Sequence, residues 1–305
     1  MNAPEANETF DCFGGSATVL VGGRGPGGPA AVAATLAKRR LLEWHQQFSR
    51  FEPESELSKL NEDPRETVPV SPVMARLIAA IIDAARSSGG LIDGSLVGEL
   101  ERAGYAEHLE LDSSVPLATA LARAPARAPA GPRPQPLWEI VSLDPRAGTV
   151  TRPAGLRFDS GGIAKGLFGD ILTDLLEMHP SFALDCSGDV RFGGSAGLRR
   201  SVDVASPFAD SIIHRFELTA GAVATSGIGR RSWIDADGRP THHLLDAASG
   251  RPAFTGIVQV TAIAPSGVEA EILAKTALLR GPAAAAATLR HGGAVVYDDG
   301  RLEIV

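Results

Sequence analysis

Little in this chain ties it to a membrane, a nucleic acid or an oxidising compartment. No apolar run reaches the roughly 18 residues that a bilayer-spanning helix needs. Residues 1–15, MNAPEANETFDCFGG, carry no basic segment followed by an apolar one, the pattern of a secretory leader. The cytoplasm is therefore the expected location. No Lys/Arg-rich run offers a phosphate-neutralising face and the formal charge is -7, so neither nucleic acid nor an anionic membrane surface is expected as a partner. The sequence has 2 cysteines, Cys12 and Cys186, far apart in strand-like stretches. They read as small buried hydrophobes rather than as a disulfide, a metal pair or a nucleophile.

What is present is the composition of a soluble globular protein, 44% hydrophobic and 21% charged, in 305 residues that can bury a substantial core. The stretch around which the rest is organised is 158–178, FDSGGIAKGLFGDILTDLLEM. Ile163, Leu167, Ile171, Leu172, Leu175 and Leu176 recur at three- and four-residue spacing, with Lys165, Asp170 and Asp174 on the other face, which predicts an amphipathic helix. Residues 156–158 read as a short strand before it, and Asp159 or Ser160 as its cap. The Gly161–Gly162 pair lets backbone approach a ligand without a Cβ in the way, and the positive end of the helix would face an anion with Lys165 one turn on. An ordinary strand-to-helix turn has the same sequence. The stretch matches neither GxGxxG nor GxxxxGK[ST], so other motifs must decide.

In chain order, a strand is expected at 16–21, then a Gly-rich turn, GGRGPGGP, and a helix over 29–48. Pro53 opens a turn after Phe51, and a short helix follows at 55–60. A helix at 72–87 stops at Gly89–Gly90. Asp93 lies in an apolar setting at a turn, as a cap of a helix over 94–103 or as a reader of a ligand donor. Residues 122–136, ARAPARAPAGPRPQP, cannot hold a packed core and read as a surface excursion or hinge. A hairpin is expected ahead of Asp159, strands at 201–205, 213–218 and 258–263, two hairpin turns within 233–252, helices at 268–280 and 283–291, and a closing hairpin. Strands outnumber crossover units, which predicts an α+β fold with mixed, largely antiparallel sheets and packed helices.

Taken together, five segments in this order resemble the ApbE-type FAD:protein FMN transferase family: FSRFEPESELSKLN, GGLIDGSLVG, FDSGGIAKG, ATSGIGRR with DGRPTHHLLDAASGRP, and AIAPSGVEAEILAKTALLRG. The resemblance spans nearly the whole chain and implies a single domain of that architecture over 1–305, with 122–136 as an excursion. It further implies an enzyme that cleaves FAD, moves the FMN half onto a Thr or Ser hydroxyl of an acceptor flavoprotein and releases AMP, assisted by Mg²⁺. By the same resemblance Phe13, Phe51, Leu91, Ile92, Asp93, Asp159, Lys165 and Leu245 would contact FAD, and the Gly162 carbonyl would ligate the metal. His243, in HLLDAASG, matches the histidine of the family's HxxDPxTG pattern. Such a reaction needs a base for the hydroxyl proton and cations on the phosphate oxygens, so His243 is the expected base with Asp246 orienting it.

The metal helix departs from that pattern. Where the family has an Asp, an oxygen ligand and a Thr, this chain has Glu271, Ala274 and Lys275. Glutamate keeps an oxygen ligand, but a protonated lysine has three donors and no acceptor. Glu271 and Lys275 share a helix face and can pair, whereas Thr276 points about 100° away. Two expectations follow: Lys275 supplies the charge that a metal would bring, or the chain keeps FAD binding while transfer is lost. The alternatives to transfer are hydrolysis of FAD to FMN and AMP, and flavin binding without catalysis.

Overall fold

The computed structural model describes residues 4–107, 115–235 and 237–305. Two tight turns of left-handed backbone set the register of its main sheet. Phe13 (φ 56°) and Gly14 (φ 73°) join strand Glu5–Cys12 to Gly15–Gly22, and Ser187 (φ 57°) with Gly188 (φ 94°) join Ser181–Cys186 to Asp189–Gly193. Two-residue turns with both residues at positive φ match the twist of antiparallel strands. The sheet has eight strands in the order Glu5–Cys12, Gly15–Gly22, Ser181–Cys186, Asp189–Gly193, Gly221–Gly227, Ile257–Ala264, Gly293–Tyr297 and Leu302–Ile304, antiparallel throughout.

The helices among the described residues are α1 (Ala30–Phe48), α2 (Glu56–Glu62), α3 (Pro72–Ser88), α4 (Val97–Arg102), α5 (Leu117–Arg123), α6 (Ala164–Leu176), α7 (Gly267–Arg280) and α8 (Ala285–Thr288). Their apolar faces cover the sheet: α1 lies on the first two strands, and α7 on strands Gly221–Gly227 and Ile257–Ala264. One core cluster joins α1, α3 and α6, with Phe158 and Phe168 fully buried, and a second surrounds α7. The architecture is α+β with antiparallel sheets, as the strand pattern predicts.

α6 and α7 meet backbone to backbone. A Cβ on Gly166 would lie 2.5 Å from the carbonyl of Gly267, and one on Gly267 would lie 2.6 Å from the Gly166 oxygen. Each helix also caps the other. Asp170 of α6 accepts from the amides of Gly267 (2.7 Å) and Val268 (3.0 Å) at the start of α7, and Glu271 of α7 accepts from the Gly166 amide in α6 (3.1 Å). Amides at helix starts lack intrahelical partners, so these carboxylates satisfy orphan donors and complement both dipoles.

Several sequence expectations are corrected. Residues 156–158 do not form a strand: the side chain of Asn61 accepts from the Phe158 amide (2.7 Å) and donates to its carbonyl (2.9 Å), doing what a neighbouring strand would. α6 begins at Ala164, and neither Asp159 nor Ser160 caps it, because Ile163 precedes it with no side-chain cap. α4 is shorter than 94–103 and α8 shorter than 283–291. The strand-like stretch at Cys12 is the end of a longer strand, Glu5–Cys12, whose extent the sequence reading did not give. The excursion 122–136 is mostly exposed and is tied to the body: Ala128 and Ala130 donate to the carbonyls of Phe254 (3.0 Å) and Leu279 (2.9 Å), and Gly131 donates to Asp246 (2.8 Å). The first hairpin turn within 233–252 includes residue 236, which lies outside the described residues.

Gly166→Ala tests the crossing. Alanine ordinarily stabilises a helix by about 1 kcal/mol over glycine, but here backbone stands where the methyl would go, so a net loss of about 1–3 kcal/mol is expected in urea unfolding. A stabilised variant would show that the helices can separate at no cost.

Candidate active site

One cleft of about 680 Å³ opens where α6 starts, between the end of α1, the loop after α3 and the hairpins around His243. Its walls come from segments far apart in sequence, so its shape depends on the bonds that join them. Arg50 Nε donates to Asp159 Oδ1 (2.9 Å), Ser160 Oγ donates to the Phe48 carbonyl (2.7 Å), and the Asp159 amide donates to the Gly94 carbonyl (2.8 Å). The turn preceding α6 is thus fastened to α1 and to the Asp93 loop. Asp159 Oδ2 accepts from the Gly161 amide (3.2 Å), shaping the turn rather than capping the helix.

Aromatic rings form two of the walls. Phe13 stacks on Phe168 (5.8 Å between centroids) and meets the His45 ring edge-on, while its amide donates to His45 Nδ1 (3.3 Å). Phe51 and Tyr105 form the other wall with Arg50, whose guanidinium lies 4.2 Å and 4.7 Å from their ring centres. Two cation–π contacts together with the Asp159 ion pair leave Arg50 almost no freedom. Leu91, Ile92 and Leu245 add apolar surface. Asp93 Oδ1 accepts from the Ser95 amide and hydroxyl, while its Oδ2 is buried with no hydrogen-bond partner. A buried carboxylate oxygen left unsatisfied on a cleft wall calls for a donor from a ligand.

The floor carries the charge. Gly161, Gly162, Ile163 and Ala164 line it, the amides of Gly161, Ile163 and Ala164 being bonded within the turn to Asp159 and the Ser160 carbonyl. Lys165 lines it too, but its ammonium is held by Asp189. Burial works against the lysine's charge, yet Asp189 and Glu271 outweigh it and raise its pKa. Lys275 reaches the floor from α7, its Cε 3.5 Å from where a Cβ on Gly162 would stand. Arg231 lines the same space, its guanidinium donating to the Phe13 carbonyl at 3.4 Å.

His243 links the hairpin Ser232–Ile234/Pro240–His242 to Leu245–Asp246/Arg251–Pro252. Its Nδ1 lies 3.5 Å from the Arg231 carbonyl. Burial, reinforced by the Arg231 charge, holds its pKa well below the ordinary value, so the ring is neutral near pH 7. His242 is a packing residue, 1% exposed, edge-on to Phe254, and burial lowers its pKa to about 3. Asp246 does not orient His243. Its Oδ1 accepts from the amides of Gly131 (2.8 Å) and Ala248 (3.2 Å) and its Oδ2 from the Ser249 hydroxyl, so the carboxylate ties the hairpin turn to the Pro-rich excursion, away from the cleft wall.

The residues expected to hold Mg²⁺ do not fit one. Ala274 offers a methyl and Lys275 an ammonium, and neither lines up as a ligand. Glu271, 1% exposed and outside the cleft wall, spends Oε1 on the Gly166 amide and faces Lys275 with Oε2 at 3.5 Å. Burial raises its pKa. No group of three or more His, Cys, Asp or Glu side chains suited to a metal exists among the described residues. Thr276 Oγ1 is buried without a partner and outside the cleft lining, so it does not repair the set.

Of the expected residues, the cleft thus gathers Phe13, Phe51, Leu91, Ile92, Asp93 and Asp159. It also gathers Gly162, Lys165, His243, Leu245 and Lys275, and leaves out Asp246, Glu271 and Ala274. Sequence reasoning missed Arg50, Tyr105 and Arg231. Arg50 and Arg231 lie inside quoted motifs, where a basic residue beside an expected ligand contact was the available signal; Tyr105 gave none.

The α+β fold thus encloses a cleft with aromatic walls and several cations on its floor. The ApbE family model matches residues 15–297, and the chain belongs to the ApbE family. Among curated relatives, it is 30% identical over 152 residues to the FAD:protein FMN transferase of Treponema pallidum, covering 45% of this chain and 42% of that protein. It is 28% identical over 144 residues to that of Klebsiella pneumoniae, covering 46% and 43%. The matched segments span less than half the length of these relatives. Across the whole fold, the chain is similar to the crystal structure of the ApbE protein of Thermotoga maritima, with 25% identity, a TM-score of 0.78 and coverage of 98% and 96%. The flavinyl transferase ApbE of Pseudomonas stutzeri shares the fold at 23% identity, a TM-score of 0.74 and coverage of 100% and 95%.

Because His242 is buried neutral, the unfolded chain takes up a proton below pH 6.5 that the folded chain refuses. Its contribution to stability is complete above pH 6.5 and falls by about 1.4 kcal/mol per pH unit between 6.5 and the folded value near 3. Urea unfolding of the protein and of His242→Gln should therefore show a stability gap that narrows as pH falls from 7 to 5. A constant gap would place the imidazole in a hydrated site.

Proposed function

We propose that this protein transfers the FMN moiety of FAD to a Thr or Ser hydroxyl of an acceptor protein, releasing AMP. The observation that carries this reading is the meeting of His243, Arg231, Lys275 and the glycine turn before α6 on one cleft whose other walls are aromatic. A flavin dinucleotide combines flat rings with a diphosphate, and the cleft offers surfaces for both. Its volume lies in the range of small-molecule sites. Asp93, with an unpaired oxygen, is the proposed reader of a ring or sugar donor, and Phe13, Phe51, Leu91, Ile92 and Leu245 the proposed packing surface. We also propose that residues 1–305 act as one unit, since the main sheet runs from Glu5–Cys12 to Leu302–Ile304.

In this reading the acceptor oxygen attacks the FMN-side phosphorus. A new phosphorus–oxygen bond forms, the bond to the AMP oxygen breaks, and AMP leaves with the electron pair. His243 takes the hydroxyl proton. With its Nδ1 proton directed at the Arg231 carbonyl, Nε2 carries the lone pair, and a neutral ring is a competent base. The carbonyl of Arg231 takes the orienting part that Asp246 does not. Lys275 and Arg231, beside the start of α6, stabilise charge on the phosphate oxygens. No step is assigned to a metal.

The assay mixes pure protein with FAD and a candidate acceptor and follows AMP and protein-bound fluorescence. AMP with a fluorescent acceptor is the expected result. AMP with free FMN would mean a hydrolase, and neither product would mean a binder. His243→Ala should cut turnover about 10²–10⁴-fold while FAD affinity holds, and unchanged turnover would remove His243 from the mechanism. Asp159→Ala should weaken FAD binding itself, since it releases Arg50 from the turn; an unaltered Kd would count against that placement. Since the His243 pKa is depressed, kcat/KM should stay level from pH 8 down through 6.5, and a half-maximum at or above pH 6.5 would contradict a buried neutral base.

A further inference from the structure

On the FAD reading, the floor of the cleft must receive two negative phosphates, and the metal site that would share that load does not fit. The cations present are unevenly matched. Arg50 has Asp159 at 2.9 Å, and Lys165 has Asp189 in contact. Lys275 has Glu271 at 3.5 Å, one oxygen of which is already engaged by the Gly166 amide, and shares with Lys165 the charge of Asp189, which contacts Lys165. Arg231 forms no ion pair among the described residues and bonds only a carbonyl, at 3.4 Å. The remaining carboxylates on the lining, Asp11, Glu52 and Asp93, pair with none of these four cations.

Lys275 is also placed for the purpose. Its side chain is 13% exposed, lines the cleft, and brings Cε to 3.5 Å from the Cβ position of Gly162, at the turn that opens α6. The helix that carries it is locked to α6 by the glycine crossing and by the exchanged carboxylate caps. An ammonium held there is a fixed point charge with three donors, already largely removed from water. A hydrated dication would meet a like charge at this spot.

We propose that Lys275 takes the place of the divalent cation, and that with Arg231 it neutralises the diphosphate so that FAD binds this chain without a metal. The rival explanation is structural: Lys275 merely compensates Glu271. Riboflavin, which has the rings but no phosphate, separates the two.

The experiment measures Kd for FAD, ADP and riboflavin on the full chain by flavin fluorescence and calorimetry, in excess EDTA and in saturating Mg²⁺. For the unaltered protein, FAD and ADP affinities should agree within about twofold between the two conditions. In Lys275→Met, FAD and ADP should bind about tenfold to a hundredfold more weakly, the worth of a charge-assisted hydrogen bond, with riboflavin unchanged and no recovery in Mg²⁺. Arg231→Met should act in the same direction. FAD binding that tightens tenfold or more in Mg²⁺ overturns the inference and leaves the flavin reading standing, and this arm needs no variant. Equal loss of riboflavin and FAD in Lys275→Met also overturns it, as a structural role. Riboflavin and FAD both failing to bind the unaltered protein would instead bring down the flavin reading, and the inference with it.

Discussion

The site depends on the crossing of α6 and α7. Gly166 and Gly267 bring the two backbones into contact, and Asp170 and Glu271 each cap the other helix. Without that approach neither carboxylate would reach its amides, and Lys275, one turn beyond Glu271, would not arrive at Gly162. The same arrangement decides what Glu271 is available for. Engaged with the Gly166 amide and buried, it is a structural group with no free oxygen turned to the cleft. The loss of a metal set and the arrival of a lysine therefore belong to one local solution.

Burial and pairing compete at each ionisable group on the floor, and the winner differs from group to group. For Lys165, Asp189 in contact outweighs desolvation, and the charge is kept. For Glu271, desolvation prevails over the pull of Lys275 at 3.5 Å. A close, bonded partner offsets burial where a distant one does not, consistent with the steep dependence of buried pairs on geometry. At His243 nothing opposes burial except a long contact to a carbonyl, and nearby positive charge acts in the same direction, so the ring stays neutral. Cations for the phosphates and a neutral base for the proton then coexist within one cleft.

Local periodicity made the long helices legible. Residues 72–87 and 268–280 were readable from apolar spacing, and the structure has Pro72–Ser88, capped by Ser71 and ended by Gly89 at φ 69°, and Gly267–Arg280. The extent of strand Glu5–Cys12 was not legible beyond its strand-like end at Cys12 because EANETFDC is mostly polar; it is an edge strand held by its ladder to Gly15–Gly22. The strand expected at 156–158 failed because Asn61, 97 residues away in sequence, supplies both hydrogen bonds to Phe158. Asp246 misled for the same reason. Three residues from His243 in sequence, its carboxylate is claimed by Gly131, 115 residues distant. Motifs singled out most of the cleft's residues, but nothing local told Arg231, which lines the cleft, from Arg230, which is exposed.

Phe13 sits at φ 56°, a conformation that costs a residue with a side chain of this kind about 1–2 kcal/mol and that glycine or asparagine tolerates. Its ring is held between Phe168 and His45 on the cleft wall. Breeding this protein for heat tolerance would therefore favour relaxing that corner, and the gain would come at the expense of the wall itself. Resistance to heat and the shape of the binding surface pull on the same residue in opposite directions.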